Sequence, residues 1–338
     1  MTAYMRHHGS RRIKGFSLIE LMVSLTIGLL ITIAIFSTYL GASAASKMAD
    51  AQGRMNEDAQ AALLILSQQL KMAGNNPDQA GRVDDADPTL SSRRNPVYGA
   101  TSYPTGSYTT SNFFIRGCDG QFSNMTSASS LDKLDCSNSG SALPDAIAIS
   151  YEADSFNTIP TSQATGKSST DCLGKKLDTI TAVLPTVVGS GTASTTVTYA
   201  VAGNEFYVAS STPLGSPSLY CKGNGMASTP QVLVENVEDL QFTYGAIDST
   251  TSATTATVAG YLRADELAAL TSVTNSAMPW SKVLAVRICI LIRSEGQVLS
   301  ADSQTRYLDC AGSLVNTPAD RRLRQAYFAT VVLRNRRL

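Results

Sequence analysis

The sequence predicts an α+β fold: a long N-terminal α-helix packed on an antiparallel β-sheet head with large loop insertions. Three observations predict it. Residues 16–73 contain no proline and keep apolar residues at helical spacing. The C-terminal two thirds carries short runs rich in β-branched and aromatic residues, separated by turn-forming residues. Between them, Gly81 to Ser141 turns to Gly, Ser, Thr, Asn, Asp and Pro, the composition of irregular loops. With 338 residues the chain has enough length for one large or two ordinary domains and a substantial core.

The first element begins with a basic segment. Residues 1–15 hold Arg6, Arg11, Arg12 and Lys14 and no acid, and Phe16 to Leu40 then runs almost without charge. A hydrocarbon core of about 30 Å needs about 20 helical residues, which Leu21 to Leu40 supplies. The positive-inside rule keeps the basic end in the cytoplasm and places everything after Leu40 outside it. A cleavable secretory signal would have a shorter apolar run ending in a small-residue site, which is not found here. One charge, Glu20, interrupts the apolar run. A carboxylate at the centre of a bilayer costs on the order of 3 kcal/mol, so it either reaches back to the interface or serves a function.

Past Leu40 the helical spacing continues through Met48, Met55, Ala59, Ala62, Leu63, Leu66 and Leu70. One helix of roughly 87 Å is expected at 1.5 Å per residue, its first part in the membrane and its second on a head. Gly74-Asn75-Asn76-Pro77 is a stop signal. Strands are predicted at 146–151, 179–184, 196–200, 205–209, 232–244 with a break, 283–292 and 325–333. Ala202-Gly203-Asn204 reads as a hairpin turn, and 264–270 as a short helix. These strands are expected to form one antiparallel sheet on the back half of the helix.

Composition narrows the chemistry. Lys plus Arg and Asp plus Glu are both 27, so no overall excess points to nucleic acid. The two histidines, His7 and His8, both precede the apolar run, which works against histidine-based triads and histidine-ligated zinc. The six cysteines, Cys118, Cys136, Cys172, Cys221, Cys289 and Cys310, contain no Cys-x-x-Cys and fall outside the cytoplasm by the topology above, where disulfides persist. The expected bridges join sequence neighbours, 118 with 136, 172 with 221 and 289 with 310, although six cysteines allow many other pairings. Residues 161–168 nearly spell a phosphate-binding loop, but Thr161 stands where its first glycine would be, and a polar surface turn is expected. Asp84-Asp85-Ala86-Asp87 lacks the spacing of a calcium loop and reads as a solvated acidic loop. Arg321, Arg322, Arg324, Arg334, Arg336 and Arg337 flank the last apolar run. They are expected to keep a terminal strand soluble, with protein docking ahead of DNA as the alternative. No metal or cofactor is expected.

Lys14-Gly15-Phe16-Ser17-Leu18-Ile19-Glu20-Leu21 resembles the type III signal of type IV pilins and pseudopilins. The resemblance implies that a prepilin peptidase cuts between Gly15 and Phe16, that Phe16 becomes the N-methylated first residue, and that the apolar helix is retained. Removal of the leader takes four positive charges and both histidines with it. The new amine at Phe16 and the Glu20 carboxylate of a neighbouring subunit would then be natural counter-ions in a low-dielectric medium.

Asn56-Glu57-Asp58-Ala59 with Leu63, Leu66, Leu70 and Met72-Ala73-Gly74 resembles the start of the PilW family of minor pilins. Leu233 to Gly245, Val283 to Arg293, Asp320 to Gln325 and Arg334-Asn335-Arg336 resemble its C-terminal half. The fold is thus expected to be pilin-like, with a leader at 1–15, a membrane-spanning part at 16–40, a soluble helical half at 41–73 and a periplasmic head at 74–338. The family implies a non-enzymatic minor pilin in a complex that primes pilus assembly at the tip. Expected partners are other minor pilins, the major pilin, the prepilin peptidase, the inner membrane and, as a further candidate, a tip adhesin. A type II secretion pseudopilin is the near alternative, and a signal-anchored periplasmic hydrolase the distant one.

Overall fold

The computed structural model describes residues 15–75, 114–125, 131, 134–137, 143–158, 161–163, 166–188, 191–210, 215–247, 258–270, 279–300, 306–316 and 320–335. The basic residues before Gly15, both histidines, Asn76-Pro77, Asp84 to Asp87, most of the 81–141 loop region, Arg336 and Arg337 lie outside the described residues. In chain order the elements are α1 (Leu18–Met72), β1 (Ile115–Cys118), β2 (Ala146–Ala153), β3 (Thr161–Gln163), β4 (Gly166–Ser168), β5 (Thr179–Val188), β6 (Gly191–Ser210), β7 (Pro217–Gly223), β8 (Gln231–Glu235), β9 (Val237–Ile247), β10 (Val258–Leu262), α2 (Ala264–Ala268), β11 (Val283–Arg293), β12 (Arg306–Leu308), β13 (Leu314–Asn316) and β14 (Arg324–Val332). The architecture is α+β. The chain divides into two compact units, Met1–Asp50 and Ala51–Leu338.

In the first unit the described residues are helical from Leu18, and their large apolar side chains from Leu18 to Leu40 are all exposed. The helix is long and apolar enough to cross a membrane. Its hydroxyls are satisfied within the helix: Ser24 Oγ donates to Glu20 O, Thr32 Oγ1 to Gly28 O and Thr38 Oγ1 to Ala34 O. Such back-bonding lets small polar residues sit in an apolar medium without stranded donors.

In the second unit, α1 buries Met55, Ala59, Ala62, Leu66 and Leu70, one stripe at helical spacing. The two alanines let sheet side chains approach the helix backbone closely. The helix ends where the sequence signals it. Gly74 takes a positive φ of 74°, Asn75 N–H donates to Met72 O, and Gly74 N–H crosses to Ser150 O at 2.9 Å. A Cβ at this glycine would meet the Phe114 ring, so backbone conformation and packing both select Gly.

The head holds two principal antiparallel sheets rather than the single one expected. The first is six-stranded, ordered β1-β2-β6-β7-β8 with β5 also on β6. The second is four-stranded, ordered β10-β9-β11-β14. The largest correction lies in β6. Ala202-Gly203-Asn204 makes no turn: β6 is one continuous strand of 20 residues, pairing with β5 through its first half and with β2 and β7 through its second. Gly203 N–H donates to Asn224 Oδ1 at 2.9 Å. The break expected in 232–244 falls at Asn236, which takes a φ of 61° between β8 and β9. Strands β1, β3, β4, β7, β10, β12 and β13 were not foreseen; β1 lies within the stretch assigned to loop.

One core cluster joins the α1 stripe to the inward faces of both sheets, with Ile147, Ile149 and Phe206 from the first and Leu240, Phe242, Val286, Ile288 and Ile290 from the second. Polar bonds fix the helix to each. Asn204 Nδ2, on a buried residue, donates to Gln69 Oε1 at 2.8 Å, and Tyr327 Oη donates to Asn56 Oδ1 at 2.6 Å. Asp145 links the sheets, accepting Phe242 N–H at 2.8 Å and Gly120 N–H at 3.3 Å.

Candidate functional site

Gly15, Phe16 and Glu20, which the N-terminal resemblance assigns to processing and assembly, lie at the start of α1. Gly15 is in coil, and Phe16 is 85% exposed. Ser17 and Glu20 cap the helix reciprocally: Ser17 N–H donates to Glu20 Oε2 at 3.0 Å, and Glu20 N–H donates to Ser17 Oγ at 3.2 Å. This is a Ser-x-x-Glu capping box, which satisfies two orphan N–H groups reciprocally and sets a negative charge against the positive end of the helix dipole. The Ser-x-x-Glu spacing was visible in the sequence. Its meaning was missed because the carboxylate was weighed only as a charge in a membrane.

In the head, three disulfides are present. Cys118 is bonded to Cys136, Cys172 to Cys221 and Cys289 to Cys310, with Cα–Cα separations of 5.5, 6.6 and 5.6 Å. The first closes the segment after β1 against β1 itself. The second joins the loop at Asp171 to β7. The third ties the segment between β12 and β13 to β11. No cysteine is free.

The C-terminal arginines divide by role. Arg324, with only 2% of its side chain exposed, bonds Glu238 through Nε at 2.5 Å and Nη2 at 2.9 Å, and Asp320 Oδ2 through Nη2 at 2.7 Å. The guanidinium also holds the Asp320 carboxyl below its usual range. Arg322 Nη1 donates to Ser294 O, and Arg321 Nη2 to Gln297 Oε1. These three anchor the chain entering β14, while Arg334, beyond its end, is exposed.

Two buried acids elsewhere have raised pKa values. Burial pushes the Asp145 carboxyl up to about 8 against the pull of its two backbone N–H donors, with Asp119 adding to the rise. Burial pushes Glu205 up to about 7 although Lys222 Nζ lies 3.7 Å away. Both belong to cross-sheet or cross-strand packing. Among the described residues, no group of three or more His, Cys, Asp or Glu side chains is placed to hold a metal ion. The near-match to a phosphate loop is a β3–β4 hairpin with no helix after it.

Residues 10–37, which bracket Gly15, Phe16 and Glu20, match the prokaryotic N-terminal methylation motif. With the exposed apolar helix, this gives the chain a type IV pilin-like N-terminus. Residues 205–335, from the second half of β6 through β14, match the Type IV Pilus-assembly protein W family. The C-terminal half of the head is thus PilW-like, in a chain that also carries the methylation motif. Among solved structures it is similar to the type IV-like pilin TTHA1219 from Thermus thermophilus, with 11% identity and a TM-score of 0.33 over 83% of this chain and 96% of that one. No curated protein matches the chain.

Proposed function

We propose that the chain is a minor pilin. In this reading residues 1–15 are a leader removed by the prepilin peptidase between Gly15 and Phe16, and Phe16 becomes the methylated N-terminus. Residues 16–40 are the membrane-spanning part of α1, 41–73 its soluble half, and 74–338 a periplasmic head. The mature chain joins other minor pilins and the major pilin through its apolar helix in a complex that primes assembly, sits at the pilus tip and supports an adhesin. Its role is structural, and no catalysis is assigned to it.

The observation that carries the reading is the pairing of a PilW match at 205–335 with a methylation motif at 10–37 in one chain. The physical logic is burial. Almost every large side chain from Phe16 to Leu40 is more than half exposed, so the segment needs lipid or neighbouring helices to cover it. The Glu20 carboxylate, held by Ser17 in the single chain, is available to a neighbouring subunit's Phe16 amine once the leader is gone.

A deletion strain complemented with wild-type or Glu20→Ala chain tests this. The expected result is loss of surface pili and twitching on deletion, restoration by the wild type, and processed but poorly assembling Glu20→Ala protein. Loss of exoprotein release with normal pili would assign the chain to a type II secretion pseudopilus instead.

A further inference from the structure

Strand β14 forms one edge of the four-stranded sheet, and among the described residues no strand pairs with its outer side. Which backbone groups are open follows from the register. Leu333 N–H donates to Leu284 O, continuing the pairing in which Val332 faces Ala285. In an antiparallel ladder, hydrogen-bonded pairs alternate with non-bonded ones. The odd-numbered residues of β14 therefore bond to β11, and Ala326, Phe328, Thr330 and Val332 turn N–H and C=O toward the open edge.

The same residues carry the outward side chains. Odd-numbered Val331 is buried, whereas Phe328 and Val332 are each more than half exposed. The Cys289–Cys310 disulfide enlarges this apolar surface, because Cys289 pairs with Phe328 and Cys310 holds the β12–β13 hairpin nearby. That hairpin presents Leu308 and Leu314, paired with each other and both more than half exposed. At the entry to β14, Tyr307 lies under the Arg324 guanidinium, so the open stretch is the part from Ala326 onward. A nine-residue edge strand with apolar side chains of this kind is one that monomeric proteins normally blunt.

Charge decides what covers it. Arg287 sits opposite Thr330, exposed and stacked 4.2 Å over Tyr261, Arg322, half-buried and also bonded to Ser294 O with Asp320 Oδ2 at 4.0 Å, precedes the strand, and the exposed Arg334 follows it. A second copy of β14 in full antiparallel overlap, centred on Phe328, would set Arg322 against Arg334 at both ends. Like charges directly opposed across a ladder are destabilising. A strand with acidic flanks gains where a second copy loses.

We propose that β14 is a docking edge for an extended, acid-flanked segment of a partner protein, which joins the four-stranded sheet as a fifth strand and lays apolar side chains beside Phe328 and Val332. Main-chain bonds from Ala326, Phe328, Thr330 and Val332 supply affinity, and the arginines select the flanks. The proposal concerns the head and does not depend on processing at Gly15.

The test uses the full chain in detergent micelles and synthetic peptides of alternating Val and Thr, flanked by glutamates or by lysines. The glutamate peptide is expected to bind and to slow hydrogen exchange at the amides of 326, 328 and 330, and the lysine peptide to fail. Thr330→Pro removes an N–H that the fold does not use and should weaken binding by about tenfold or more with unchanged thermal unfolding. Phe328→Asp, on an exposed site, should do the same through charge and decides the matter if the proline variant misfolds. Equal binding of both peptides, or undiminished binding by a folded variant, overturns the proposal. Concentration-dependent protection of these amides without peptide also overturns it, in favour of self-pairing.

Discussion

The sharpest test of how the helix is set into the head is Gly74→Ala. Two separable costs are expected. The residue sits at a φ of 74°, where a Cβ costs about 1 kcal/mol. The added Cβ would also lie 2.8 Å from two atoms of the Phe114 ring, which is 7% exposed at the start of β1 and has little room to retreat. Overpacking of this kind costs about 1–3 kcal/mol, giving about 3 kcal/mol for the variant overall. In a Phe114→Ala background the ring is gone and only the backbone cost of about 1 kcal/mol should remain. Urea unfolding of the full chain in micelles, followed by the fluorescence of Trp280, the single tryptophan and itself buried in the head, measures both. The cycle should return a coupling of about 2 kcal/mol. If Gly74→Ala costs the same in both backgrounds, the ring does not enforce glycine here.

Two further perturbations bear on the buried charges. The folded-state Asp145 carboxyl titrates at about 8, above its unfolded value, so its contribution to stability is complete below about pH 4 and is lost as pH rises towards 8. Glu205 acts in the same direction up to about pH 7. Unfolding free energies should therefore fall between pH 5 and pH 7, and Asp145→Asn should remove about 2–3 kcal/mol of that fall; an unchanged pH slope would contradict the assignment. Arg324→Met should cost about 2–4 kcal/mol by the same urea assay, because Glu238 and Asp320 lose their common partner while keeping some access to water. Restoring most of the lost stability with a Glu238→Gln, Asp320→Asn background would show that stranded charge causes the loss.

How much of this was legible in the sequence depended on whether the signal was local. The absence of proline from 16–73, the spacing of Met55, Ala59, Ala62, Leu66 and Leu70, and Gly74 outlined α1 to within about two residues. Strands β2, β11 and β14 were readable because they are dense in β-branched or aromatic residues. Strand β6 was not, since Ala202-Gly203-Asn204 looks like a turn locally and becomes strand only because β2 and β7 flank it. Strand β7 begins at a proline and ends at a glycine, so its edges read as loop. The C-terminal arginines read as solvated flanks because the Glu238 partner of Arg324 is 86 positions away. Asp145 carried no signal at all, its role arising from Phe242 and Gly120 on other segments. At Glu20 the signal was present as Ser-x-x-Glu but was outweighed by the more conspicuous charge.

The central claim is that α1 stays attached to a mature chain that begins at Phe16 and carries the chain into a helical assembly. Mass spectrometry of the N-terminal peptide from membrane-extracted protein tests it most directly. The account predicts a methylated Phe16 followed by Ser17-Leu18-Ile19-Glu20. A chain that retains Met1, or one that starts beyond Leu40, would contradict it.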